Sequence, residues 1–109
     1  MKETAQTIIN QLGGNKFVVM TGSKNFSALK NGVCMDLSKN ISGANRLEIT
    51  FNGQDLYDMR FYKYTSVRFN KNTMTFTNEK IKEITNINDI FSDNLQSVFT
   101  KVTGMYTHL

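Results

Sequence analysis

The chain has 109 residues, 39% hydrophobic and 11% aromatic, with one cysteine, one histidine and a formal net charge of +4. That apolar share suits one domain with its own core and is too high for a disordered chain. No run approaches the ~18 apolar residues of a membrane span, and no continuous apolar segment in "MKETAQTIINQLGG" resembles a secretory signal. Cys34, alone, excludes an internal disulfide, so a reducing compartment is the simplest setting. Charge is uneven: +3 over residues 1–45, +2 over 46–71 and −1 over 72–109. This permits an anionic partner and argues against a carboxylate-coated mimic of DNA.

Ala5, Ile8, Ile9 and Leu12 recur at helical spacing, which predicts an amphipathic helix over residues 3–12 closed by Gly13. Phe17 to Thr21 is β-branched and aromatic and reads as a strand, with "GSKN" as the turn after it. A phosphate-binding loop is not the reading of this glycine-flanked stretch. Gly14 and Gly22 are eight apart and Lys24 follows no glycine directly. Gly13 or Gly14 is expected at positive φ.

Val33, Met35 and Leu37 alternate with polar neighbours, as do Leu47, Ile49 and Phe51, and then Tyr57, Met59 and Phe61. A two-residue Asn52-Gly53 turn would put the last two sets on opposite faces, so an odd loop of three or five residues is expected. A second hairpin with Lys71-Asn72 at its tip pairs Phe69 with Met74 and Val67 with Phe76. Residues 78–87 fit no single period. Ile90, Phe91, Leu95, Val98, Phe99 and Val102 predict a second helix over 89–103, with Asp89 and Asp93 at its start and Gly104 after it. The expected architecture is a single two-layer α+β domain spanning 1–109. Its terminal helices pack through Ile8, Ile9, Leu12, Leu95, Val98 and Phe99 onto one face of an antiparallel sheet of about five strands.

Nothing in the sequence assembles an active site. His108 is penultimate, one cysteine and one histidine cannot make a zinc site, and Asp55 and Asp58 flank a turn. Cys34 reads as a buried or half-buried filler. The expectation is a non-enzyme with no cofactor, no metal and no membrane contact. The strongest binding signal is "RFYKYTSVRF". With Tyr57, Met59 and Phe61 inward, Arg60, Tyr62 and Tyr64 share the outward face. Aromatics beside guanidinium groups are how single-stranded nucleic acid is often held. The plainer reading is a solvated strand face rich in tyrosine. The candidate nucleic-acid or partner-binding residues are Arg60, Tyr62, Tyr64, Lys24, Arg68 and Lys71.

The ordered set "LGGNKF", "MTGSKNF", "LYDMRF", "DNLQSVF" and "TGMYTHL" resembles a group of small proteins from phages and other mobile elements, a group without an established activity. The resemblance covers nearly the whole chain and implies a phage, prophage or cassette gene acting in a bacterial cytoplasm. Arg60 stands where that group has an acidic residue, and His108 where it has serine. Gly13, Gly14, Asn15, Met20, Thr21, Gly22, Lys24, Asn25 and Phe26 match the pattern, as architecture or as a shared binding edge. Two functions compete. One is an accessory protein that binds DNA, RNA or a nucleoprotein enzyme of replication. The other is an inhibitor of a host defence protein, of anti-CRISPR or anti-restriction type, acting by protein–protein binding.

Overall fold

The computed structural model describes residues 2–52, 54, 56–67, 69–76 and 78–107. The expectations attached to Gly53, Asp55, Arg68 and His108 fall outside the described residues. The elements run α1 (Lys2–Leu12), α2 (Asn15–Thr21), β1 (Lys24–Leu29), β2 (Gly32–Asp36), β3 (Arg46–Phe51), β4 (Tyr57–Thr65), β5 (Phe69–Asn70), β6 (Thr75–Phe76), β7 (Lys80–Ile90), a 3-10 turn (Ser92–Asn94) and α3 (Leu95–Thr103). Five strands form one antiparallel sheet in the order β1-β2-β3-β4-β7, and β5 pairs with β6 in a separate ribbon. The fold is α+β, with α1 and α3 against the sheet. No helix among the described residues is long and apolar enough to cross a membrane.

The core lies between the helices and the inner sheet face. Ile8 and Leu12 of α1 and Leu95 and Phe99 of α3 are fully buried there, with Ile9 and Val98 packed at the margin. They meet Val33, Met35, Leu47, Ile49, Met59 and Phe61 from the strands. Phe99 stacks edge-on against Phe17 at 5.0 Å between ring centroids. The β3–β4 register pairs Leu47 with Phe61, Ile49 with Met59 and Phe51 with Tyr57, so the connection has the odd length that alternation required. Gly32 in β2 is a close approach: a Cβ there would lie 1.9 Å from the Ile49 carbonyl oxygen.

Three expectations are corrected. Residues 15–21 are helical, not a strand. Gly14 and Gly22, at φ 61° and 68°, set the helix between two positive-φ residues. Phe17 and Thr21, one turn apart, are both buried, and Thr21 Oγ1 donates to the Phe17 carbonyl. Tertiary packing overrides the β-propensity of Phe-Val-Val. "GSKN" is then no turn: Lys24 and Asn25 already belong to β1.

The second correction is the distal hairpin. Phe69 pairs with Phe76 and Asn70 with Thr75, around a four-residue tip with Met74 at φ 56°. The two phenyl rings are 5.0 Å apart, a contact that the two-residue tip would forgo. The third concerns the last helix. Ile90 pairs with Tyr57 at the end of β7 and is buried, so α3 begins only at Leu95; Asp89 sits in the strand and Asp93 in the 3-10 turn. The ambiguous stretch 78–87 lies mostly in β7. Gly13 and Gly14 both take positive φ, and Gly104 caps α3 at φ 76°.

Candidate binding face

The sheet face turned away from the helices is built by alternation. In β4, Met59 and Phe61 enter the core, so Arg60, Tyr62 and Tyr64 emerge opposite. Across the ladder, Glu48 is the partner of Arg60 and Arg46 the partner of Tyr62. On the other flank, Tyr62 faces Glu83, Tyr64 faces Ile81 and Arg60 faces Asn86. Cys34 and Asp36 of β2 continue the surface beside Glu48 and Arg46.

These side chains satisfy one another. Arg60 grips Glu83 with two parallel bonds, Nε to Oε1 at 2.7 Å and Nη2 to Oε2 at 2.5 Å, and its Nη1 lies 3.4 Å from Glu48 Oε2. The fork geometry is the strong form of an arginine–carboxylate pair. The same guanidinium lies over the Tyr62 ring at 4.3 Å, and Arg46 lies over Tyr64 at 4.5 Å. The Tyr62 hydroxyl donates to Glu48 at 2.9 Å and sits 3.9 Å from Cys34 Sγ. Arg46 binds Asp36 at 2.8 Å, and the Tyr64 hydroxyl donates to Glu79 at 2.6 Å.

Protonation follows the packing. The hydrogen bonds to Glu83, with Glu48 nearby, hold the Arg60 guanidinium well above its ordinary value, and Arg60 in turn holds the Glu83 carboxyl below its own. Burial first, then the bond to Glu48, pushes the Tyr62 phenol up. The bond to Glu79 raises Tyr64, and burial raises the Cys34 thiol. The face is therefore an interlocked ion-pair and hydrogen-bond network. No group of three or more His, Cys, Asp or Glu that could hold a metal occurs among the described residues.

Arg60, Tyr62 and Tyr64 thus share one face, but Tyr62 is only 4% exposed, its ring covered by Arg60, so it is not open for a base to stack on. Lys24 lies three strands away on the edge strand β1, and Lys71 stands exposed in the hairpin tip; neither joins the network. The residues that sequence reasoning missed are the carboxylates Glu48, Glu79 and Glu83. The face of Glu48 was legible, because either odd loop puts it on the side of Arg60; the five-residue loop then places it directly opposite Arg60. Of the residues in the glycine-rich motifs, Gly13, Gly14 and Gly22 take positive φ, Thr21 is buried, and Asn25, itself at φ 56°, donates to Asp36, while Asn15, Met20 and Lys24 are exposed. No protein-family model, no curated protein and no solved structure matches the chain.

Proposed function

We propose that this chain is a small non-enzymatic accessory protein of a phage or mobile element. In this reading it works in the bacterial cytoplasm by docking on a protein partner of nucleic-acid metabolism, a nucleoprotein enzyme of replication. The observation that carries it is the β5–β6 hairpin. Val67, Phe69, Met74 and Phe76 are 46–73% exposed there, on a ribbon that joins no strand of the main sheet. Large apolar side chains gathered on a projecting element mark a protein contact, with aromatics as its usual anchors. The provenance rests on the ordered motifs from "LGGNKF" to "TGMYTHL".

The inhibitor of a host defence protein is the second reading. It is favoured by the closed Arg60–Glu48–Glu83 network, which withholds the most obvious cationic residues from nucleic acid and leaves apolar protein contact as the stronger signal. One experiment separates the two: capture from a bacterial lysate with immobilised wild-type protein and with Phe69→Ser/Phe76→Ser, followed by identification of the captured chain. A replication enzyme lost in the variant supports the first reading, and a defence enzyme lost in the variant supports the second. Capture that is identical with both proteins removes the hairpin as the site.

A further inference from the structure

We infer that the helix-side face of the β4–β7 ribbon is a nucleic-acid phosphate site formed by Lys63, Lys80 and Lys82, with Lys39 at its margin. It deepens the nucleoprotein reading and rests on it for its setting, but its test uses bare oligonucleotide, so the two fail separately.

The site follows from register. Beyond Tyr62, β4 overhangs β3, whose last partner there is Arg46. In this overhang Lys63 pairs with Lys82 and Thr65 with Lys80. Tyr62, Glu83, Tyr64 and Ile81 fill the outer side, so Lys63, Lys80 and Lys82 project to the helix side, and all three are exposed. Lys63 also lines a shallow pocket with Ser38, Lys39, Asn40 and Asn45. The loop that forms this pocket is fixed in advance. Asn45 exchanges side-chain bonds with the Tyr64 backbone at 2.9 and 2.7 Å, and Asn40 donates to the carbonyls of Ser38 and Ala44.

The charge pattern points to the ligand. Residues 37–45 and the inward positions of the overhang contain no Asp or Glu. The nearest carboxylates, Glu79 and Glu83, bind Tyr64 and Arg60 on the outer side. None of the four lysines has an ion pair among the described residues, whereas Arg46 and Arg60 both do. Lys63 directly opposite Lys82 is a repulsive cross-strand pair. A repulsive pair beside further unpaired lysines is relieved by a ligand carrying several negative charges in a row. Lys80 and Lys82 are two residues apart, about 7 Å along a strand, similar to successive phosphates of an extended single strand. The track is linear, has little shape and reads no base, so binding is sequence-independent.

The test is fluorescence anisotropy with a labelled mixed-sequence DNA single strand. Three neutralised phosphates give a salt slope of about −2, roughly a 20-fold loss of affinity between 50 and 200 mM salt. Lys63→Gln/Lys82→Gln should weaken binding roughly tenfold or more and, by removing the like-charge pair, raise the melting temperature. That opposite movement separates a binding role from a structural one. Lys16→Glu in α2 combined with Lys24→Glu on the far edge strand β1, a larger charge change outside the β4–β7 overhang, should alter affinity less. The inference is overturned by absence of saturable binding at low salt, by equal loss in the Lys16/Lys24 variant, or by polyglutamate competing as well as the oligonucleotide. The last result would make the ligand an acidic protein.

Discussion

Tyr62 shows how one side chain closes a surface. Its ring lies under Arg60, its hydroxyl donates to Glu48, and the neutral phenol is the form that these contacts favour. The folded protein therefore holds this proton more tightly than the unfolded chain does. The associated stability is complete below the ordinary phenol range, about pH 10, and is lost as pH rises through the higher folded value. A urea midpoint followed upward from pH 9 should fall more steeply for wild type than for Tyr62→Phe, which has no proton to lose. Parallel curves would show that the phenol does not titrate with unfolding. Arg60 belongs to the same unit. Its two bonds to Glu83 mean that binding a phosphate there requires breaking a fork pair first, and this is why the candidate site shifts from Arg60 to lysines that have no ion pair among the described residues.

At the scale of the element, β7 explains why residues 78–87 resisted reading. Ile81, Ile84, Ile87 and Ile90 recur every third residue, which fits neither a plain strand nor a long helical stripe. Two register shifts resolve the conflict, one between Phe61 and Tyr62 and one between Tyr57 and Met59. They turn Ile84, Ile87 and Ile90 toward the core and leave Ile81 exposed. The first shift also sorts the charges. In unbroken register Glu83 would oppose Lys63; the shift moves Glu83 to the outer face with Arg60 and brings Lys82 against Lys63. The second places Asp89 at φ 59°, its N–H donating to Asp58 Oδ1 at 3.0 Å and its carboxylate accepting from Asn52.

Left-handed geometry costs an ordinary residue about 1–2 kcal/mol and a β-branched one more. Asp89→Gly should therefore stay close to wild type in thermal denaturation, while Asp89→Val should lose at least about 1 kcal/mol. Equal melting temperatures would contradict the assigned backbone. Alternation made the odd parity of the β3–β4 loop and both faces of β4 legible from sequence, though not the choice of five residues over three, and apolar spacing with Gly13 and Gly104 marked α1 and the end of α3. The bulges were not legible, because a bulge is chosen by which side chains fill the core across the ladder. For the same reason Phe-Val-Val gave no sign of becoming α2.

The whole molecule is elongated, 50 × 31 × 22 Å with a Cα radius of gyration of 15.1 Å, against about 13 Å for a compact chain of ~100 residues. The overhang of β4 and β7 and the hairpin beyond it carry the exposed Val67, Phe69, Met74, Phe76 and Ile81 and the lysine track. Since β5 and β6 are exposed throughout and join no other strand, the body should not need them. Replacing residues 67–78 by Asn-Gly should lower the radius of gyration in small-angle scattering. The melting temperature should stay within about 4 °C, a loss under roughly 1 kcal/mol. A variant that unfolds would show that the hairpin belongs to the cooperative unit. The two ends of the sheet bear on a different hazard. β1 and β7 are its edges, and an unpaired edge invites another chain to add a strand, then another, until aggregates grow. β1 breaks register between Lys24 and Ser27, and β7 breaks it twice and carries lysines at Lys80 and Lys82. A second copy meets only short flat stretches of backbone on either side, so the irregularities that sort the charges also keep crowded copies of the protein from laddering into fibrils.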